Sequence, residues 1–255
     1  MEMIKKSIKE IKMEFEQADN ESLQVLFSRY AKDERAGVAS LIRKYQRLLE
    51  KEQEEVLRVQ EMLVYEKKYA DYDLICGIDE AGRGPLAGPV AAGAVILPKD
   101  EGIMYLNDSK RLSAGRREEL FDEIMEKAVA VGVGLVSPAR IDEINILQAT
   151  YEAMREAISK LGVTPGLLLN DAVTIPDVPI RQVPIIKGDA KSMSIAAASV
   201  IAKVTRDRLM LEYDKVMPEY GFAKHKGYGS AEHIEAIKKY GPSPIHRKTF
   251  IKSWL

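Results

Sequence analysis

The sequence has one cysteine and no long hydrophobic run. The single Cys76 excludes an internal disulfide and a zinc site built from several cysteines. It lies in an apolar run, which favours a buried strand residue over a nucleophile. No uninterrupted apolar run approaches the ~20 residues that cross a bilayer, and the N-terminus lacks the apolar core of a signal peptide. We therefore expect a cytoplasmic protein without a membrane partner.

Residues 1–70 contain no proline and only one glycine, Gly37. Apolar residues recur there at helical spacing, most clearly from about residue 34 to 69. A long coiled coil is disfavoured because Glu52 and Glu55 fall where its apolar seam would lie. We therefore predict an all-helical N-terminal extension over 1–70, either a packing appendage or a substrate-binding module. A second domain over 71–255 follows, with a basic helical segment at its C-terminal end.

From residue 71 the pattern becomes that of an α/β domain. Apolar and β-branched runs predict strands, whereas amphipathic and alanine-rich segments predict helices. The predicted strands are 73–79, 89–97, 128–136, 167–171 and 180–186, and the predicted helices are 116–127, 138–162, 190–217 and 231–240.

Three of the predicted strands end at acidic residues. Asp79 and Glu80 follow the first strand, Asp171 ends the fourth, and Asp189 follows the fifth. Taken singly, Asp171, Asp189 and Glu80 are better explained as a turn former, a helix cap and a solvated loop acid. The Asp79–Glu80 pair fits that explanation less well, because a cation would relieve the repulsion between adjacent acids. Carboxylates suit Mg²⁺ or Mn²⁺, and a pair of such ions is the usual arrangement for displacement at phosphorus.

A glycine-rich turn follows the first two acids. Gly82-Arg83-Gly84 lets backbone N–H groups and one guanidinium approach a ligand closely. A dinucleotide-binding fingerprint is excluded because the glycine spacing differs, Pro85 lacks an N–H and the next segment is strand-like. The turn is therefore a candidate substrate-binding element.

Further candidate substrate contacts lie in the C-terminal quarter. Lys203 and Arg206 on the long helix form either a binding surface or a solvated face. Tyr228 lies between two glycines and is placed to stack on a sugar or base, the alternative being a tyrosine packed in a loop. Residues 203–255 hold 11 Lys and Arg against 6 Asp and Glu, in a chain whose net charge is −1. The basic segment 244–250 is therefore predicted to contact phosphates.

These motifs together resemble bacterial type 2 ribonuclease H, or ribonuclease HII. The likeness covers about 73–250, and its motifs occur in the same order as in that family. The segments that carry it are 77–90, 107–110, 171, 188–189, 196–207 and 225–228.

The resemblance implies the ribonuclease H-like fold, with a mixed central sheet flanked by helices. It implies an endonuclease that cuts the RNA strand of RNA–DNA hybrids and nicks DNA 5′ to an embedded ribonucleotide. The implied cofactors are two Mg²⁺ or Mn²⁺ ions, and the implied products carry 3′-hydroxyl and 5′-phosphate ends. The residues that match the family's catalytic and metal-binding acids are Asp79, Glu80, Asp171 and Asp189.

The resemblance also implies which residues contact the substrate. The Gly-Arg-Gly turn and Tyr228 match residues that contact the ribonucleotide around its 2′-hydroxyl. The loop with Ser109 and Lys110 matches one that contacts backbone phosphate. The chain departs from the family at Ala172, where glycine is common, and in the helical residues 1–70, to which no family function is transferred.

Two rival functions remain open from the sequence. A non-catalytic hybrid-binding protein would bind without cutting, and another metal-dependent phosphoryl-transfer enzyme would ignore the ribose 2′-hydroxyl. We expect a monomer whose partners are RNA–DNA hybrids and DNA duplexes that contain ribonucleotides. Residues 249–255 hold no clear clamp-binding peptide, so the sequence does not support a replication clamp as partner.

Overall fold

The computed structural model describes residues 6–99 and 102–254 and divides the chain into two compact units. The first unit ends at Arg58, and its helices are α1 (Ile8–Gln17), α2 (Asn20–Tyr30) and most of α3 (Ala36–Met62). A capping box between Ser7 and Glu10 starts α1. The buried apolar residues of this unit are Ile11, Phe15, Leu23, Leu26, Val38 and Leu49.

The second unit begins at Val59, before the domain boundary predicted at residue 70. The end of α3 and the short helix α4 (Val64–Lys68) therefore belong to it. The physical reason is burial, because Val59, Met62 and Leu63 pack into the same hydrophobic core as strand and helix residues of this unit. The helix predicted over 34–69 is interrupted at Leu63, which lies between α3 and α4.

The elements of the second unit alternate as the sequence predicts, and the predicted strand ends lie within two residues of the observed ones. Within 6–99 and 102–254, no helix is long and apolar enough to cross a bilayer. The elements after α4 are β1 (Ile75–Ala81), β2 (Val90–Ile96), α5 (Ala114–Lys127), β3 (Ala130–Val136), α6 (Pro138–Ser159), β4 (Leu167–Asp171), β5 (Arg181–Ile185), α7 (Met193–Val216), α8 (Phe222–His225), α9 (Ala231–Tyr240) and α10 (Lys248–Ile251).

The five strands form one mixed sheet in the order β3-β2-β1-β4-β5. β1 pairs antiparallel with β2, and β2 pairs antiparallel with β3. β4 is parallel to both β1 and β5. The mixed central sheet flanked by helices is thereby confirmed. Because β1 and β4 are parallel neighbours, their carboxyl ends meet at one edge of the sheet.

Two helical layers cover the sheet, and small residues let one of them approach closely. Alternate residues of β2 pack with α6, whereas Val95 packs with α5 and α7. At Gly77 of β1 a Cβ atom would lie 2.0 Å from the carbonyl carbon of Ser194 in α7, so only glycine fits there. The start of α7 is thereby pressed onto the strand that carries the first two acids.

Candidate active site

The four predicted acids lie around the carboxyl ends of β1 and β4. Asp79 and Glu80 are in β1, and Asp171 is the last residue of β4. Asp189 lies in a short 3₁₀ turn, residues 188–190, between β5 and α7. Segments more than 90 residues apart in sequence therefore bring acids to one edge of the sheet.

Asp79 is the most deeply buried of these acids, with 5% of its surface exposed. One of its oxygens accepts a hydrogen bond from the backbone N–H of Glu80 at 2.7 Å. Burial raises the pKa of Asp79 well above its usual range, and the charges of Glu80 and Asp171 raise it further. A hydrogen bond from Ser199 on α7 lowers that pKa only in part. A positive charge near Asp79 would therefore be strongly favoured.

Glu80 and Asp189 share this electrostatic environment. Burial raises the pKa of Glu80, and an ion pair with Arg83, 3.2 Å long, opposes that rise. Burial also raises the pKa of Asp189, with further contributions from the charges of Asp108 and Asp171. The charge of Asp171 thus contributes to the raised pKa of Asp79, of Glu80 and of Asp189, so these acids lie close enough to interact.

A backbone hydrogen bond joins two of the acid-bearing segments. The N–H of Gly188 donates to Asp171 at 2.7 Å, which ties the end of β4 to the turn that carries Asp189. Ala172, the residue that departs from the family pattern, has a φ of 57°. This left-handed conformation explains why glycine suits the position, and alanine adopts it at a modest cost in strain.

The loop before α5 brings a lysine to the acids. Burial lowers the pKa of Lys110, but the charges of Asp108, Asp79, Asp189 and Asp171 raise it above its ordinary value. The ammonium group of Lys110 therefore interacts electrostatically with the acids.

Ser109 in the same loop has a structural contact that the sequence did not predict. It is buried, and its hydroxyl shares a 2.9 Å hydrogen bond with that of Ser199. The Ser109 hydroxyl therefore holds Ser199, the residue that hydrogen-bonds Asp79, and the phosphate contact of the loop with Ser109 and Lys110 stays a prediction.

The donor set fits a hard divalent cation. All four acids offer carboxylate oxygens, the ligands that Mg²⁺ and Mn²⁺ prefer. In the described part of the chain, no group of three or more His, Cys, Asp or Glu side chains is arranged to hold an ion alone. Mg²⁺ is commonly held by one or two carboxylates, with water and substrate phosphate completing its coordination. The acids at this edge fit that mode of binding.

Two fully buried arginines brace the Gly-Arg-Gly turn. Arg206 of α7 donates to the carbonyls of Pro89, Ala87 and Lys226 at 2.9–3.0 Å. Gly82 has a φ of 90°, and a Cβ there would lie 2.1 Å from Nε of Arg206, so the turn requires glycine for both reasons. Burial lowers the pKa of Arg206. We therefore correct the predicted substrate contact of Arg206 to a role in positioning the turn.

Arg247 is the second brace, and sequence reasoning assigned it to a phosphate-binding segment. It is fully buried, and burial together with the charge of Arg206 lowers its pKa to about 9. It donates to the carbonyls of Gly82, Arg83 and Gly88 at 2.5–3.0 Å. The neighbouring His246 is also buried. Arg247 therefore supports the turn, and neither its side chain nor that of His246 is exposed to a ligand at the surface.

Tyr228 lies beside the turn. It is 44% exposed, and a Cβ on Gly84 would lie 3.8 Å from its ring. Backbone hydrogen bonds from Leu86 and Ala87 to Gly227 join the two segments. Lys203 lies in α7, where its ammonium group forms a 2.7 Å ion pair with the carboxylate of Asp207.

A groove of about 420 Å³ borders this region and contains Tyr228 and Lys203. Basic side chains predominate among its polar residues, since Arg117, Arg208, Lys224 and Lys226 also line it, against Glu118 and Asp207. Of the functional residues, sequence reasoning did not assign Ser199, Asp108 or Arg247 to these roles. Their segments stand out in the sequence, but these roles do not, because each role depends on a contact with a distant segment.

Comparison with known proteins places the chain in a family. Residues 76–253 match the family model described as ribonuclease HII, and residues 7–70 match the ribonuclease HII N-terminal domain. The chain belongs to the ribonuclease HII family. A ribonuclease HII from Lachnoclostridium phytofermentans is 65% identical over 96% of this chain and 97% of its own length. The predicted family and enzyme class are confirmed, since ribonucleases HII are metal-dependent endoribonucleases that act on RNA–DNA hybrids.

Solved structures of two archaeal members share the fold. Ribonuclease H2 from Pyrococcus horikoshii OT3 is 30% identical, with a TM-score of 0.60 over 71% of this chain and 97% of its own. Ribonuclease HII from Archaeoglobus fulgidus, solved in complex with PCNA, is also 30% identical, with a TM-score of 0.59 over 70% of this chain and 94% of its own. Both likenesses support the ribonuclease H-like fold of this ribonuclease HII family member.

Proposed function

We propose that this ribonuclease nicks duplex DNA 5′ to a single embedded ribonucleotide as well as cutting the RNA strand of hybrids. The observation that carries the proposal is the closeness of the acids to the Gly-Arg-Gly turn. Both occur in or directly after β1, and the 3.2 Å ion pair between Arg83 and Glu80 joins them. A group that contacts the sugar is thereby held against a group that binds the catalytic ion.

The four acids would hold two Mg²⁺ or Mn²⁺ ions. Bound divalent ions would activate water and stabilise the leaving 3′ oxygen, so the products would carry 3′-hydroxyl and 5′-phosphate ends. Asp79, Glu80, Asp171 and Asp189 would supply the protein ligands, and Lys110 would neutralise phosphate charge beside them. The raised pKa values of Asp79, Glu80 and Asp189 are consistent with acids arranged for a cation.

The Gly-Arg-Gly turn and Tyr228 would recognise the ribose. The 2′-hydroxyl distinguishes RNA from DNA, so an enzyme that must find one ribonucleotide needs a direct contact with it. The open backbone of Gly84 faces the exposed Tyr228, and two buried arginines hold the turn rigid. A sugar held between Gly84 and Tyr228 would be read by backbone groups and a phenol in fixed positions.

Lys203 and the basic groove would contact the phosphate backbone farther from the cut. Such contacts release counterions, so affinity for the duplex should fall as salt rises. The pairing of Lys203 with Asp207 means that this lysine would have to exchange one anionic partner for another.

The deciding experiment compares a DNA duplex that bears one ribonucleotide with an otherwise identical all-DNA duplex. Each is incubated with the enzyme in Mg²⁺, Mn²⁺ or EDTA. We expect a metal-dependent nick 5′ to the ribonucleotide and no cut in the all-DNA duplex. Equal cutting of both duplexes would indicate a different phosphoryl-transfer enzyme, and binding without any cut would indicate a hybrid-binding protein.

A further inference from the structure

A glutamate outside the catalytic-domain match joins the start of α7. Glu66 lies in α4, within the segment matched by the N-terminal domain model. Its Oε1 accepts three hydrogen bonds, from the Ser192 hydroxyl at 2.6 Å, the Ser194 hydroxyl at 2.7 Å and the Ser194 N–H at 3.0 Å. Its other oxygen is buried and has no hydrogen-bond partner among the described residues. Such a bonded carboxylate is held in one position.

The serines that Glu66 holds belong to the link between the acids and α7. Ser192 is fully buried, and its hydroxyl also accepts from the N–H of Ile195 at 3.3 Å as the N-cap of the helix. The N–H of Ser192 donates to the carbonyl of Gly188 at 2.9 Å. The N–H of Gly188 in turn donates to Asp171 at 2.7 Å. A continuous chain of hydrogen bonds therefore runs from Glu66 to one of the acids.

The same contact fixes α7 against β1. The backbone of Ser194 lies directly against Gly77, where no Cβ could be accommodated. Asp79 lies two residues farther along that strand, and Asp189 lies five residues before Ser194. Glu66 therefore binds Ser194 at the place where α7 contacts β1. The position of α7 at this contact fixes how far the turn carrying Asp189 lies from Asp79.

Charge favours this arrangement as well as geometry. A carboxylate at the N-terminus of a helix interacts favourably with the helix dipole and with unpaired N–H groups. α7 is 24 residues long, and Glu66 bonds the N–H of its second residue, Ser194. Glu66 therefore caps the start of α7 from a separate helix, α4. Its hydrogen bonds hold Ser192 and Ser194 in place.

We propose that Glu66 is a positioning residue for the metal-binding acids. It holds the 188–194 segment, which carries Asp189 and is hydrogen-bonded to Asp171, in one position against the strand that carries Asp79. This inference rests on the proposed role of the acids as metal ligands. It gives the last part of the N-terminal match an indirect task in catalysis, through the two serines that Glu66 holds.

The test measures metal binding and local order in Glu66→Ala, in Glu66→Gln and in a matched control. Glu10→Ala is the control, because Glu10 also accepts hydrogen bonds at a helix start but in the first unit. Mn²⁺ binding to the substrate-free enzyme is measured by calorimetry. Hydrogen exchange of residues 186–195 is measured in the absence of metal, with β2 as the internal reference.

For Glu66→Ala we expect about tenfold weaker Mn²⁺ binding, the usual cost of losing a group that orients a ligand. Exchange over 186–195 should accelerate while that of β2 stays as in the wild type. Glu66→Gln keeps the shape but not the charge, so it should lie between Glu66→Ala and the wild type. Glu10→Ala should bind Mn²⁺ as the wild type does.

Other results would overturn the inference. Unchanged Mn²⁺ affinity together with unchanged exchange over 186–195 would show that Glu66 positions nothing. Exchange that accelerates equally in β2 would show a general loss of stability in place of local positioning. A wild-type enzyme that makes no metal-dependent cut in the ribonucleotide-bearing duplex would instead overturn the proposed function, a result that the Glu66 variants are not needed to detect.

Discussion

The acidic edge of the sheet and the arginine-braced turn next to it both bury charge, but they do so in opposite ways. Arg206 and Arg247 are fully buried, and backbone carbonyls accept hydrogen bonds from each of them. Asp79 is buried beside other acids whose charges oppose its ionisation. A buried charge whose hydrogen-bonding groups all have partners helps to fix the fold, whereas buried like charges are unfavourable unless a cation lies between them.

This difference separates residues that build the site from residues that carry out its chemistry. Removing a satisfied arginine leaves several buried carbonyls without donors, which costs stability. Neutralising one of the clustered acids relieves repulsion and costs activity instead. Substitutions at the arginines should therefore lower mainly stability, whereas substitutions at the acids should lower mainly activity. This contrast can be tested.

The largest expected effect is the loss of cleavage when an acid is neutralised. Asp79→Asn and Asp189→Asn keep the side-chain size but remove a charge that would hold the ion. We expect cleavage to fall on the order of a thousandfold, because metal ions supply several kcal/mol to the transition state and about 1.4 kcal/mol is tenfold in rate. The unfolding midpoint should stay unchanged or rise. Single-turnover cleavage and thermal unfolding measure the two quantities.

The control makes the same chemical change elsewhere. Asp19→Asn alters the N-cap of α2, where asparagine caps about as well as aspartate. It should leave both cleavage and stability as in the wild type. Metal-dependent cleavage at the wild-type rate by Asp79→Asn would contradict the assignment of the acids.

A smaller effect, on stability first, is expected when a bracing arginine is removed. Arg247→Met leaves the carbonyls of Gly82, Arg83 and Gly88 without their donor. We expect a loss of about 2–4 kcal/mol in the free energy of unfolding. The preference for a ribonucleotide over deoxyribonucleotide should fall as well, because the turn loses its fixed shape. Denaturant unfolding and cleavage of the paired duplexes measure both.

A second arginine provides the comparison for that experiment. Arg208 forms an ion pair with Glu118, and its side chain is 46% exposed. Arg208→Met should change the free energy of unfolding by less than about 1 kcal/mol, as is usual for surface pairs. Equal losses in the two variants would show that Arg247 does not brace the turn.

The smallest expected effect is on the pH dependence of stability. Burial lowers the pKa of His233 and of His246, next to the braced turn, to about 4, and the charge of His225 contributes to both shifts. The stability that these histidines provide is full above their ordinary pKa of about 6.5. It is lost as pH falls from there towards about 4, because the unfolded state binds the protons more tightly.

The acids should give the opposite slope. The pKa values of Asp79, Glu80 and Asp189 are raised in the folded state, so their contribution is full below about 4 and is lost as pH rises. Denaturant unfolding from pH 4 to 8 measures both slopes. Asp79→Asn should flatten the loss towards high pH, and His246→Gln the loss towards low pH. If neither variant changed the pH dependence of stability, the shifted pKa values of Asp79 and His246 would not contribute to it.

Much of the fold and the location of the acids could be predicted from the sequence. Apolar runs of strand length end in Asp79 and Asp171, and alternation of strands and helices indicates a sheet with helical layers. The Gly-Arg-Gly turn can be predicted because glycine is typical of a backbone segment that must come close to another group. The family resemblance rests on the same short segments.

The roles of the basic residues could not be predicted in this way. Arg206 and Arg247 read as cations available to phosphate, yet both are fully buried. Ser109 reads as a phosphate contact, yet its hydroxyl faces Ser199. Local composition shows whether a side chain is charged or polar. It does not show whether backbone carbonyls distant in sequence will accept its hydrogen bonds.

The order of strands and helices along the chain and the acids at the strand ends are therefore encoded locally, because hydrophobic periodicity and chain reversal are local properties. Which charges face solvent and which support the turn depends on how the chain packs. Arg247 meets Gly82 across 165 residues, and Glu66 meets Ser192 across 126. Burial and hydrogen-bond satisfaction depend on such distant contacts, which form only when the chain packs.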